Sequence, residues 1–224
     1  MSEVNLISIS KPSAYTDCNT AEELVAWGAR VSNPSNQNNM ATANKLVGYL
    51  ITNHHWSPLE MVHVSMEIKT TRDIARQILR HRSFAFQEYS QRYADPTRDL
   101  GFVTREARLQ DRKNRQNSVE VDNEDLNNDW MSVQDDVQIT AIRAYHWAIE
   151  NGIAKEQARV VLPEGMTEST MIMAGTLRSW IHYCQLRRAN GTQKEHRIVA
   201  EQCWNIIKQH FPNVVGACDG LGEI

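Results

Sequence analysis

The sequence predicts an α+β chain in which mixed helices pack on an antiparallel sheet. Three observations lead there. Apolar residues recur at helical spacing in several segments. One stretch instead alternates, with Val62, Val64, Met66 and Ile68 interleaved by His63, Ser65, Glu67 and Lys69, the period of a half-buried strand. The order of elements lacks the regular strand–helix alternation of a doubly wound sheet, and no GxGxxG or GxxxxGK[ST] motif occurs. The chain has 224 residues, 41% hydrophobic and 23% charged. That suits one domain over residues 1–224 with a core that needs neither disulfides nor metal.

Each element has its signal. Val4 to Ile9 reads as a first strand. Thr20 opens a helix with Glu23 completing a capping box, and Leu24, Val25 and Val31 are placed on one face. A second helix from about Asn39 carries Leu46, Val47 and Leu50 and ends before His54 and His55. Ser57-Pro58-Leu59-Glu60 is a helix start that can form only a brief turn, because strand alternation follows at once. Thr71 to Leu79 is helical, with Arg72, Arg76 and Arg80 as a stripe at fourfold spacing. Arg82 begins an irregular stretch with aromatics. Residues from about 105 to 128, including RLQDRKNRQNS, read as a polar loop excursion. Helices follow at Asp129 to Asn151, Lys155 to Leu162 and Thr176 to Arg188. A last helix runs from Thr192, boxed by Glu195, to just before Pro212.

Bulk charge excludes some functions. The net charge of −3 opposes a protein whose main task is gripping nucleic acid. Cys18, Cys184, Cys203 and Cys218 are scattered, without CxxC spacing. A reduced, cytoplasmic setting and no metal site are expected. No signal core or membrane-length apolar run is seen.

The densest polar constellation is RHRSFAFQEYSQRY, Arg80 to Tyr93. A solvated loop does not need Phe84, Phe86, Tyr89 and Tyr93. If the segment is extended, Ser90 and Arg92 point to one side and form a phosphate clamp, since the guanidinium fork matches phosphate oxygens. From the residues alone this is an anion site with aromatic walls.

The span resembles the signature RHRxxSxNExSxRY of flavin-dependent thymidylate synthases, departing at Ala85 and Gln87, where serine and asparagine are usual. HHWSPLE (54–60), QARVVLP (157–163) and TLRSWIHYCQLRR (176–188) resemble further family segments, in the family's order. The resemblance implies the family's fold, and it implies reductive methylation of dUMP to dTMP. FAD would be the cofactor, NADPH its reductant and methylenetetrahydrofolate the carbon donor. His55, Ser57, Arg80, His81, Arg82, Glu88, Thr176, Arg178 and His182 would contact FAD. Gln77, Arg80, Glu88, Ser90, Gln91, Arg92, Arg159 and Arg187 would hold dUMP. Catalytic roles fall to Arg187, His55 and Ser90, with Arg187 polarising the uracil in place of a cysteine nucleophile. A homotetramer without nucleic-acid or membrane partners is implied.

Blander roles exist for the same residues. His55 could complement a helix dipole and Ser57 cap a helix. Arg159 and Arg178 could pair with Glu156 or Glu195, Arg187 and Arg188 could be a helix C-terminal charge bias, and Trp180 and Cys184 could be core. A non-catalytic nucleotide- or RNA-binding module is the competing class. A histidine-based metal hydrolase is another, but it lacks any HExxH spacing.

Overall fold

The computed structural model describes residues 2–220. The alternating segment forms β2 (His63–Thr71). Beside it run β1 (Glu3–Ile9) and β6 (Glu168–Thr176), and β3 (Phe84–Glu88) closes a four-stranded antiparallel sheet in the order β1-β2-β6-β3. Register follows the buried face: Val64, Met66 and Ile68 lie opposite Gly175, Met173 and Met171. Each such side chain, removed from water, contributes about 1.5–3 kcal/mol.

That face shares one core with α1 (Ala21–Ala29), α2 (Ala43–Thr52), α3 (Arg72–Ile78), α7 (Leu177–Arg188), α8 (Lys194–His210) and α9 (Pro212–Asp219). Phe84 is the joint between sheet and helix: its ring meets Trp180 edge-on at 4.9 Å. A Cβ at Gly175 would come within 2.4 Å of the Phe84 ring, so only glycine permits this approach. Trp180 is fully buried and its Nε1 donates to the Val64 carbonyl at 3.0 Å. Trp180 and Cys184 are core, as the sequence suggests.

The capping box at Thr20 and Glu23 forms, but Val31 lies beyond α1 and is exposed, off the face that buries Val25. The second helix begins with a 3-10 turn at Met40–Thr42. Ser57–Met61 is also a single 3-10 stretch, the brief turn expected there. The helix that follows the polar segment, α5 (Glu124–Glu150), starts five residues early because Asn123 caps it through Leu126 N. Lys155 to Leu162 splits into α6 (Lys155–Ala158) and a 3-10 turn, Arg159–Val161.

The polar excursion is not structureless. It contains a hairpin, β4 (Arg108–Gln110) with β5 (Ser118–Glu120), docked by Arg105 on Asp73 at 2.8 Å and by Lys194 on Glu106 and Glu120 at 2.6 Å. No capping box forms at Thr192: Glu195 bonds Gln193 and Arg108 instead, and Thr192 reaches the Leu186 carbonyl. An arginine outcompetes a backbone amide for a carboxylate.

Candidate active site

The sequence delivers α7 straight out of β6, with Thr176 as N-cap accepting from Ser179 N. One polar cluster therefore forms at each end of this helix. At its C-terminal end, Arg187 Nε donates to His81 Nε2 at 2.9 Å. Burial, then the Arg187 charge, push His81 down to about 4. The neutral ring can thus accept, and among the described residues the two terminal nitrogens of the Arg187 fork have no acceptor. Tyr183 meets the His81 ring edge-on at 4.9 Å and shares a 3.1 Å hydrogen bond with His196. His196 in turn bonds Gln77 at 3.2 Å.

In the N-terminal half of α7, Arg178 is ion-paired with Glu60 and, one turn on, His182 packs edge-on against Trp56 at 4.8 Å. Burial, then Arg178, lower the His182 pKa. The residues facing α7 come from the corner after α2. There His54 N and His55 N donate to the Ile51 and Leu50 carbonyls, and His54 takes a left-handed φ of 56°. His55 thus closes α2 with its backbone rather than a charged ring, and the ring rests on Tyr49. Ser57 is exposed at the start of the 3-10 turn and makes no side-chain cap bond.

The motif segment is not uniformly extended. It is strand as far as Glu88. Tyr89 N still bonds the Thr170 carbonyl, and then Tyr93 N and Ala94 N fold back to the Ser90 carbonyl. Ser90 and Arg92 therefore meet in a turn, with Arg92 N on Ser90 Oγ at 3.4 Å. Alternation along β3 puts Ala85 and Gln87 on its exposed side, opposite Phe84, Phe86 and Glu88. The two departures from the signature therefore leave the packed side unchanged.

The arginine stripe is divided rather than continuous. Arg72 is buried and pairs with Glu88 at 3.5 Å; Arg76 reaches both Glu88 and Glu164. Arg80 lies past the end of α3, exposed. Glu88 also accepts from Ser169 at 3.0 Å. Arg92 pairs with Glu156 at 3.3 Å, whereas Arg159 donates to the Glu156 carbonyl. Arg188 pairs with Glu201 and lies over the Trp204 ring.

Several groups are left for a ligand. Among the described residues, neither Arg80 nor Arg82 has a carboxylate in ion-pair reach. Gln91 is buried and its Nε2 lacks an acceptor there. A buried donor without a partner costs about 1–3 kcal/mol. Cationic forks, an orphan amide and aromatic edges fit phosphate-bearing, ring-bearing molecules such as a flavin dinucleotide. Among the described residues no group of three or more His, Cys, Asp or Glu is placed to hold a metal ion. The cysteines there are all free, and burial raises the thiols of Cys184, Cys203 and Cys218. Also, no described helix is long and apolar enough to cross a membrane.

Sequence inspection did not single out Trp56, Glu60, Tyr183, Gln193 or His196 for this site. Glu60 and Trp56 lay inside a matched segment. His196 had no local signal, because its partners come from α3 and α7.

Fold and site together define an α+β protein whose motif segment and α7 carry arginines, Arg80 and Arg82 among them without a carboxylate partner among the described residues, a chemistry suited to anionic ligands. The model of the family described as Thymidylate synthase complementing protein matches residues 14–213. A probable flavin-dependent thymidylate synthase of Paramecium bursaria Chlorella virus 1 is 48% identical over 214 residues, which cover 96% of this chain and 97% of the relative. The flavin-dependent thymidylate synthase of Synechocystis sp. is 43% identical over 219 residues, 97% of this chain and 99% of the relative. The solved UMP/dUMP methylase PolB from Streptomyces cacaoi, bound with 5-Br dUMP, has the same fold: TM-score 0.85 at 23% identity, covering 100% of this chain and 97% of that one. The chain belongs to the flavin-dependent thymidylate synthase family.

Proposed function

We propose that this protein methylates dUMP reductively to dTMP, taking the carbon from methylenetetrahydrofolate and using FAD that NADPH has reduced. The observation that carries the proposal is Arg187 held through Nε by a neutral histidine at the end of α7, its two terminal nitrogens without a protein acceptor among the described residues. Uracil C5 must become nucleophilic to take the one-carbon unit. A guanidinium fork against the ring's acceptors stabilises the charge that develops there. A thiolate would serve the same end, but burial keeps Cys184, Cys203 and Cys218 protonated, and Cys18 lies apart beside Met40.

His55, Ser57, Arg80, His81, Arg82, Glu88, Thr176, Arg178 and His182 are the proposed FAD residues, and FAD, when bound and reduced, supplies hydride. Gln77, Ser90, Gln91, Arg92 and Arg159, with Arg80, Glu88 and Arg187, are the proposed dUMP residues. The orphan Gln91 amide and the uncommitted Arg80 support these assignments. Glu88 and Arg178 also hold protein partners, so besides contacting ligand they would fix neighbouring arginines and the Glu60 corner.

A homotetramer is part of the proposal. Trp130, Val133, Val137 and Trp147 stand exposed on α5, more apolar surface than an isolated subunit leaves in water without purpose. A cytoplasmic enzyme without nucleic-acid partners agrees with the acidic net charge. The test is dTMP formation from dUMP, methylenetetrahydrofolate and NADPH by FAD-loaded protein, with light scattering for the assembly. Tight dUMP binding without dTMP formation would leave a binding module instead.

A further inference from the structure

His196, Gln77, Gln193 and Glu195 are joined by hydrogen bonds that fix one another's direction. Glu195 is ion-paired with Arg108, so its oxygens only accept. The Gln193 group 2.9 Å from it must therefore be the amide nitrogen. That turns the Gln193 oxygen toward Gln77, whose nitrogen donates to it at 2.8 Å. The Gln77 oxygen is then left for His196 Nδ1, 3.2 Å away, which has to carry the proton. His196 Nε2 is consequently a lone pair, and Tyr183 OH donates to it at 3.1 Å. Hydrogen bonds thus run one way, from Tyr183 through His196, Gln77 and Gln193 to Glu195.

We infer that His196 and Glu195 are positioning residues that lock the Gln77 carboxamide in one orientation, so that its remaining N–H is its only free group and meets an acceptor atom of the bound nucleotide. The inference rests on the proposal that Gln77 holds dUMP. Without the chain a glutamine amide can flip and offer oxygen or nitrogen alike. With it, the oxygen is occupied and one of two amide protons is used. Full burial supports the lock: His196 is 0% exposed and Tyr183 1%. Desolvation, with the charges of Arg187 and His81 adding to it, pushes His196 down to about 3, so the ring stays neutral and its tautomer is a stable property. The polarity is anchored outside the core. Arg108 belongs to the β4–β5 hairpin, which gives that polar segment a part in the site it does not line up with in sequence.

The test uses FAD-loaded protein. Nitrogen and carbon chemical shifts of labelled His196 should report the Nδ1–H tautomer from pH 5 to 9; an Nε2–H ring would overturn the chain. In parallel, dUMP is titrated against His196→Phe and His196→Asn. Loss of one oriented hydrogen bond should weaken dUMP about tenfold in His196→Phe, with FAD affinity unchanged. Asparagine can still donate to the Gln77 oxygen and should restore most of the loss. Equal losses of dUMP and FAD affinity in both variants would mean a merely structural histidine and sink the positioning role. Wild-type protein that shows the Nδ1–H tautomer but does not bind dUMP would instead sink the nucleotide proposal and leave the hydrogen-bond chain standing.

Discussion

The two ends of the candidate site are built on different principles. The Arg187–His81–His196 region is the more enclosed, with His196 buried and Arg187 and His81 half-buried: its histidines are neutral, its hydrogen bonds run in one direction, and its arginine is aimed by a nitrogen that accepts without carrying charge. The turn from Ser90 to Tyr93 is open. Arg92 is exposed and paired with Glu156, and the loop is fastened at its far side by Lys155 on the Tyr93 carbonyl at 3.1 Å. Pre-organisation is worth most where charge develops during reaction. An anion that only has to be held can be met by a mobile fork that exchanges one carboxylate for a phosphate. The enclosed end should therefore govern rate and the open end affinity.

Arg187→Ala is the largest way to break that contrast. Removing one aimed electrostatic stabiliser typically costs ~3 kcal/mol, about 10²–10³ in rate. The expected outcome is a kcat lowered by that factor while flavin absorbance and dUMP titration change far less. Arg187→Lys should recover little, since an ammonium lacks the fork. Single-turnover dTMP formation measures it. A near-normal rate would make the enclosed cluster structural only.

Arg92→Ala should show the reverse pattern. Its loss removes a charge-assisted hydrogen bond, about 1.5–3 kcal/mol or roughly ten- to hundredfold in dUMP affinity. FAD binding and the rate at saturating dUMP should hold. Ser90→Ala should follow it to a lesser degree. If both variants lose kcat rather than affinity, the open end is also catalytic and the contrast fails.

How much of this the sequence revealed depended on how local each signal was. Alternation found β2, caps and turn residues found α1 and the Ser57 turn, and the helical stretch read from Thr176 to Arg188 is α7 to within a residue. β6 went unrecognised because MTESTMIMAG is rich in methionine and small residues, weak strand formers on their own. Its strand character comes from pairing on both sides. α9 was missed although Pro212 at its first position is a start signal. The site divided the same way. Motif residues were legible from resemblance, but a turn instead of extended chain at Ser90 changed how the clamp is built. Tyr183 and His196 belong to two helices that must first pack, so no spacing rule could join them.

Acid should sharpen the contrast through stability. His81 and His196 ionise near 6.5 when unfolded but only near 4 and 3 when folded. The unfolded chain therefore binds more protons in that window, so stability is intact above about pH 6.5 and lost as pH falls toward the folded values. Melting temperature should decline through this range, and His196→Phe should flatten the decline. A flat wild-type profile between pH 7 and 5 would argue that the enclosed end is open to water.

The smallest expected effect belongs to Glu156. It pairs with Arg92 at 3.3 Å, and both side chains are about half exposed, 56% and 49%. An exposed pair of this kind is worth about 0.2–1 kcal/mol. A phosphate that takes the Arg92 fork must first displace this carboxylate, so Glu156 acts against the ligand by the same amount. Glu156→Gln keeps the size, removes the competing charge and should tighten dUMP by up to about fivefold. Raising salt should shrink the difference, because the competitor is exposed and screened. The enclosed end makes no such exchange, and Glu156→Gln should therefore leave kcat and FAD affinity alone. Weaker dUMP binding in Glu156→Gln would show that the carboxylate orients Arg92 rather than competing for it, and the open end would then be as pre-organised as the closed one.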